Sequence, residues 1–132
     1  MKFIFIILLM LSSCELVKIG SKNNGQINPN QETAIGTVYL FKAELDSNNS
    51  LAASQLIVGK QGSPLLAIDR YEMSDNIERL GRIISGKNIT SFKSDTLNES
   101  AQQLHLEFGY LKRMQFSMKK IGKQWFITDI IE

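Results

Sequence analysis

The spacing of apolar residues changes at about Lys87, and this change constrains the fold more than any other feature of the sequence. Before Lys87, apolar side chains recur every three to four positions, which is the period of a helix packed on one face. After Lys87 they alternate with polar side chains, as they do in strands that bury one face. Helices that all precede the strands predict an α+β fold with one antiparallel sheet.

Three helices are predicted before Lys87. The first begins at residues 28–31, where Asn28 can cap the helix and a proline suits its first position, and it ends at the polar cluster 46–50. Ser50 caps a second, short helix. The longest helix begins at Ser63-Pro64 and ends at Gly86. The inward residues expected for the three helices are Ile35, Val38, Phe41 and Leu45; Leu51, Ala52, Gln55 and Leu56; and Leu66, Met73, Ile77, Leu80 and Ile84.

The alternating segments predict a curved antiparallel sheet of four strands. Residues 88–96 form a weaker first strand, and the last strand, 125–131, follows a turn at 121–124. The two central strands are half-buried. Their inward residues are expected to be Leu104, Leu106, Phe108 and Tyr110, and Met114, Phe116 and Met118.

The beginning of the chain has the three parts of a secretory signal. Lys2 supplies a positive charge, nine apolar residues follow at 3–11, and two small residues precede Cys14. Nine apolar residues are too few for a membrane-spanning helix, which needs roughly 20. Cys14 is the one cysteine of the chain, so it has no partner for an internal disulfide.

The stretch Leu11-Ser12-Ser13-Cys14 resembles the lipobox of bacterial lipoproteins. That resemblance implies that the Cys14 thiol is diacylated and that the signal is cleaved just before it. The protein would then be anchored by lipid to a membrane of the bacterial envelope, on its periplasmic side or at the cell surface. The alternative is an ordinary cleaved signal peptide followed by a coincidental cysteine.

These features divide the chain into three parts. Residues 1–13 are the signal, residues 14–30 are the lipidated cysteine with a flexible tether, and residues 31–132 are one α+β domain. A flexible tether of this length has an end-to-end distance of about 20–25 Å. Removing Lys2 with the signal lowers the net charge from +2 to +1. So small a charge gives no reason to expect a nucleic-acid partner.

The order of elements and the last hairpin, Met118 to Ile130, resemble small bacterial lipoproteins with a nuclear-transport-factor-two-like, or cystatin-like, domain. The recurrent part of that hairpin is Gly122-Lys123-Gln124-Trp125-Phe126-Ile127. The resemblance implies a cone of three helices on a curved sheet, whose open end can bind a ligand or a partner. It does not fix the activity, because the superfamily includes enzymes, binding proteins and domains without assigned activity.

Metal or cofactor chemistry finds little support in the sequence. His105 is the one histidine, and an acylated Cys14 could not act as a ligand. Because His105 alternates with two leucines, we expect it to face away from the apolar side of its strand. The sequence therefore predicts no metal and no cofactor.

Four residues could enter a pocket of the implied cone, namely Tyr39, Asp69, Tyr71 and Glu72. An isomerase or dehydratase would need such a carboxylate as a base and a tyrosine to hold an oxyanion. Their spacing matches no catalytic motif, and the neighbouring Arg70 and Arg79 suggest a solvated, ion-paired helix face instead. Catalytic residues are therefore not assigned.

The leading hypothesis is a lipid-anchored envelope protein without catalytic activity that binds a small molecule or a protein partner. A small pocket enzyme and an inhibitor or immunity-type lipoprotein are the alternatives. A second copy of the chain is a further possible partner, because the resemblance implies a fold whose open sheet face often pairs with another copy.

Overall fold

Three helices precede a four-stranded antiparallel sheet in the computed structural model, which describes residues 26–132. The strands follow one another in the sheet in the order of the sequence. The predicted α+β class, with helices on a curved antiparallel sheet, is confirmed. The elements are α1 (Ala34–Asp46), α2 (Ser50–Ser54), α3 (Ala67–Ile84), β1 (Ile89–Asn98), β2 (Ala101–Phe108), β3 (Lys112–Ile121) and β4 (Gln124–Ile131).

Helix α1 begins later than the sequence suggested. The prediction that it starts at residues 28–31 is wrong, because the cap is Thr33, whose hydroxyl oxygen accepts a hydrogen bond from the Gly36 N–H at 3.0 Å. Asn30 instead uses its side-chain oxygen to accept from the Glu32 N–H at 3.0 Å. Residues 26–30 are irregular as a result. The predicted end of the helix at 46–50 is confirmed.

The two other helices also differ from the prediction at their first turns. In α2 the buried residues are Ala53 and Ser54, whereas Leu51 is 67 % exposed. Helix α3 begins at Ala67 rather than at Ser63-Pro64, and Leu66, its cap, is also exposed. From the middle of α3 onwards the predicted stripe is confirmed. Its fully inward members are Ile77, Leu80 and Ile84.

The two central strands bury the predicted face. Leu104 lies opposite Phe116 and Leu106 opposite Met114, and all four are buried. The alternation does not extend to Tyr110, which was expected to face inward. Tyr110 lies in the β2–β3 turn with a φ of 64° and is 80 % exposed. The β3–β4 turn is the tight pair 122–123, as the glycine at its first position suggested.

The core joins the helices to the sheet through aromatic contacts. The Phe41 ring of α1 meets the Phe116 ring of β3 edge to face, with the ring centres 6.2 Å apart. Phe108 packs on Phe116 from the other side at 6.5 Å. All three rings are fully buried. The space between α1 and the sheet is therefore occupied by core side chains, as expected for the filled interior of a small domain.

The two edges of the sheet differ. Beside β4, the Val58 N–H donates to the Ile127 carbonyl at 2.9 Å, and the Ile127 N–H donates to Leu56 at 2.8 Å. Gln31 both accepts from the Trp125 N–H and donates to its carbonyl. Beside β1, on the edge away from β2, no backbone hydrogen bond is formed within residues 26–132. One edge is thus covered and the other is open.

Candidate binding surface

Within residues 26–132, one face of the sheet has no helix on it, and we call this face the outer face. It carries the side chains that alternate with the core residues of β1, β2 and β3. The register places Lys93 beside His105 and His105 beside Gln115, and it places Glu107 beside Arg113. The expectation that His105 faces away from the apolar side is confirmed, since it is exposed between buried Leu104 and Leu106.

A groove of about 490 Å³ lies along the outer face. It extends from β1 to the end of β4. Its lining mixes charged, polar and apolar side chains, which suits recognition of a polar chain better than enclosure of an apolar molecule. The residues that carry its chemistry are Lys93, His105, Glu107, Arg113, Gln115 and Ile131.

Charged side chains on the outer face pair loosely with one another. His105 Nε2 lies 3.3 Å from a carboxylate oxygen of Asp95, whose other oxygen lies 3.8 Å from Lys93 Nζ. Arg113 Nε lies 3.7 Å from Glu107. The Arg113 side chain is 86 % exposed, and pairs of this kind contribute little to stability. These groups therefore remain available to a partner.

The four residues proposed for a pocket do not come together. Tyr39 is half-buried on α1, and burial raises the pKa of its hydroxyl. Asp69 accepts a hydrogen bond from the Leu66 N–H at 3.1 Å and so closes the first turn of α3. Tyr71 is 78 % exposed and Glu72 is exposed as well. None of the four lines the outer groove or the helix groove described below.

The arginines beside these residues have other partners than the expected acidic neighbours on the helix. Arg70 donates to the Ser54 carbonyl at 2.7 Å, which ties α3 to α2. Arg79 forms a two-pronged contact with Glu132. That contact raises the pKa of Arg79, and the hydrogen bond from Arg79 is the main reason that the pKa of Glu132 is lowered. These bonds fasten the helix layer rather than form a site.

A second groove, of about 550 Å³, lies where the end of α1 meets α3. Asp46 is the best-connected polar group in its wall. Its carboxylate accepts from Lys42 Nζ at 2.6 Å and from the Gly86 N–H at 2.9 Å. These bonds satisfy Asp46 within the fold, so the charged groups that this helix groove offers a ligand are Glu78 and Arg82.

Sequence reasoning missed most of the outer face. The alternation of β2 identified His105 as outward, and Glu107 follows by the same period. Asp95 and Arg113 could not be added, because their proximity depends on the register of three strands. Residues 26–132 contain no cluster of three or more histidine, cysteine or acidic residues arranged to hold a metal ion.

Cys14, the proposed lipidation site, lies outside the residues that the structure describes. Within the described part, no helix is both long and apolar enough to cross a membrane. A scan of the sequence against models of protein families gives no match, and a search of curated proteins gives none.

Proposed function

We propose that this protein is a lipid-anchored protein of the bacterial envelope that acts by non-covalent binding, and that the outer face of its sheet is the binding surface. The observation that carries the proposal is the contrast between the two faces of the sheet. Core side chains fill the side towards α1, whereas the other side presents a groove with unburied charges that no other element of residues 26–132 covers.

A protein partner fits this groove better than a small molecule does. Small-molecule sites are concave and enclose about 70–90 % of a ligand. The outer groove is open along the sheet. Positive and negative groups alternate on the outer face from β1 to β3, where Lys93 lies near Asp95 and Arg113 lies near Glu107. Such a pattern recognises a surface or an extended segment with complementary charges.

The alternative of a small pocket enzyme depended on four residues that could enter a common pocket. None of them lines either of the two grooves described, so they do not support that alternative. The four are Tyr39, Asp69, Tyr71 and Glu72. An inhibitor or immunity-type role is a special case of binding a protein and uses the same surface.

The anchor is tested by labelling with palmitate in a bacterial host. We expect the wild-type chain to incorporate the label and to have a mass that corresponds to cleavage before Cys14. Cys14→Ser should incorporate none and should retain residues 1–13. Equal labelling of the two chains, or labelling of neither, would contradict the anchor.

The binding surface is tested by charge reversal. We expect a partner cross-linked to the wild-type chain in intact envelopes to be lost from Arg113→Glu, because the reversed charge repels what the arginine attracts. Lys123→Glu is the matched control, since Lys123 is exposed in the β3–β4 turn and has no ion pair within the described residues. Equal recovery of the partner by both variants would place binding elsewhere.

A further inference from the structure

The edge of β1 that faces away from β2 has unpaired backbone N–H and C=O groups within residues 26–132, and these groups can bind another strand. The strand has ten residues and spans about 30 Å. It contains no proline, and its outer backbone groups form no hydrogen bond within residues 26–132. The register is irregular between Ile89 and Ser91 and between Thr96 and Asn98, so the regular part of the strand is Ser91 to Thr96. An open edge pairs with other chains unless it is protected.

Two charges near the middle of β1 determine which partner fits. Lys93 and Asp95 flank Ser94, and both lie on the outer face, opposite His105 and Gln103 of β2. An isolated lysine at this place would repel a second copy of the strand. Here a lysine and an aspartate lie symmetrically about one residue. A two-fold axis at that residue therefore places the lysine of each copy opposite the aspartate of the other.

We propose that β1 pairs antiparallel with β1 of a second copy of this chain, with Ser94 on the two-fold axis. In this register Lys93 lies opposite Asp95 of the second copy, and the same pair recurs on the other side of the axis. Cross-strand pairs of opposite charge are favourable, and like charges directly opposite are not. The two four-stranded sheets then form one sheet of eight strands.

Neighbouring registers are worse for electrostatic reasons. An axis at Lys93 would place the two lysines directly opposite each other, and an axis at Asp95 would do the same with the aspartates. A register shifted by a single residue would pair residues of opposite faces and would put the helices of the two copies on different sides. The axis at Ser94 keeps all helices on one side of the joined sheet.

The same register covers apolar surface that the single chain leaves exposed. Phe92 is 45 % exposed, although it belongs to the regular part of β1. Phe92 would lie opposite Thr96 of the second copy. Pairing of this large apolar side chain with a smaller one removes apolar area from water. Both the charges and Phe92 therefore favour a second copy.

The dimer goes beyond the proposed function. It engages Lys93 and Asp95 at the β1 end of the outer face and leaves His105, Glu107 and Arg113 free for a partner. Ser91, Lys93 and His105 line the part of the outer groove nearest to β1. Joining the sheets brings the grooves of two copies side by side across the new pair of strands. A partner with two equivalent binding segments would then bind more tightly than a partner with one.

Cysteine cross-linking tests the register directly. Paired residues on the axis of an antiparallel pair have Cα atoms about 4.5–5.5 Å apart, which is within the range of a disulfide. We expect Ser94→Cys to give a covalent dimer when intact envelopes are oxidised. Ser91→Cys, on the same strand, should give none, because residue 91 lies far from its own copy in this register. The wild-type chain, whose one cysteine is Cys14, is the control for any disulfide that Cys14 itself forms.

A charge swap tests the energetics on the full chain solubilised in detergent. Wild type should sediment as a dimer. Lys93→Asp and Asp95→Lys should each weaken the dimer by at least about tenfold in Kd, since each places like charges opposite each other. The double variant should regain the wild-type Kd.

Three outcomes would overturn the dimer. They are a monomeric wild type at its highest soluble concentration, a double variant no tighter than the single ones, and a Ser94→Cys product that contains another protein instead of a second copy. Palmitate labelling of Cys14 is independent of all three. A failure of the dimer is thereby distinguished from a failure of the anchor.

Discussion

Asp46 shows how one residue can join two distant parts of this fold. It ends α1, where the helix dipole disfavours a negative charge. Burial also opposes its ionisation, but the hydrogen bonds from Lys42 and from the Gly86 N–H outweigh both effects, so the pKa of Asp46 is lowered. A lowered pKa means that the ionised carboxylate stabilises the folded state.

The stability contributed by Asp46 should therefore depend on pH in a definite direction. It is fully present above the ordinary aspartate pKa of about 3.9 and is lost as the pH falls through the lower pKa of the folded state. Asp46→Asn should lower the free energy of unfolding modestly at pH 7, because the side chain is partly exposed. Its loss of stability in acid should be shallower than that of wild type.

Urea unfolding followed by Trp125 fluorescence, repeated from neutral to acidic pH, measures this difference. Asp75→Asn removes the same charge from an exposed position on α3 and serves as the control. Parallel pH profiles for wild type and Asp46→Asn would show that the carboxylate does not fasten α1 to Gly86.

The sequence predicted that the polar cluster beginning at Asp46 ends α1, because such residues favour turns. It did not predict the bond to Gly86, since the two residues are 40 positions apart and only the packing of α1 against α3 brings them together. The end of the helix at Asp46 could thus be predicted from the neighbouring residues, whereas its hydrogen bond with Gly86 could not.

At the scale of one element, the start of α1 shows how two plausible caps compete. Asn28, followed by proline, has the residue pattern of a helix start, yet the chain uses Thr33. Gly36 explains part of the choice. A Cβ atom there would lie 2.7 Å from the Thr33 hydroxyl oxygen and 2.8 Å from the Asn30 carbonyl oxygen, so only glycine admits this close approach.

Replacement of the two candidate caps should therefore have unequal effects. Thr33→Ala should lower the free energy of unfolding by about 1 kcal/mol, because the Gly36 N–H loses its partner. Asn28→Ala should change it by less than about 0.5 kcal/mol, as is usual for a surface substitution away from such features. Urea unfolding compares the two variants. A larger effect for Asn28→Ala would restore the earlier helix start.

Strand positions were easier to predict than strand and helix ends. The alternation of β2 and β3 follows from burial of one face, and a slip by one residue would expose every core side chain. Tyr110 had the right spacing to continue β2, but the φ of 64° that it adopts in the turn ends the strand there. The ends of strands and helices depend on turn geometry and on capping residues, and several neighbouring positions of one sequence can supply a suitable turn or cap.

For the whole molecule, the important distinction is between a cone with an open interior and a filled core. The aromatic residues of the sequence are compatible with both an open interior and a filled core. The outcome depends on how closely α1 approaches the sheet, and the contact between Phe41 and Phe116 shows that it approaches closely. That distance is a property of the assembled layers and could not be predicted from a single segment.

A filled core predicts a large cost for truncating its central ring. Phe116→Ala should lower the free energy of unfolding by about 3–5 kcal/mol, because Phe116 is fully buried and both Phe41 and Phe108 would lose their contact with it. If the interior were instead an open ligand pocket, the same truncation would cost much less, because one face of the Phe116 ring would already be exposed to solvent. Leu111→Ala, at a position 89 % exposed, is the control and should leave stability unchanged within about 0.5 kcal/mol. Urea unfolding followed by Trp125 fluorescence separates the two arrangements, and a cost below about 1 kcal/mol for Phe116→Ala would return the binding site to the interior.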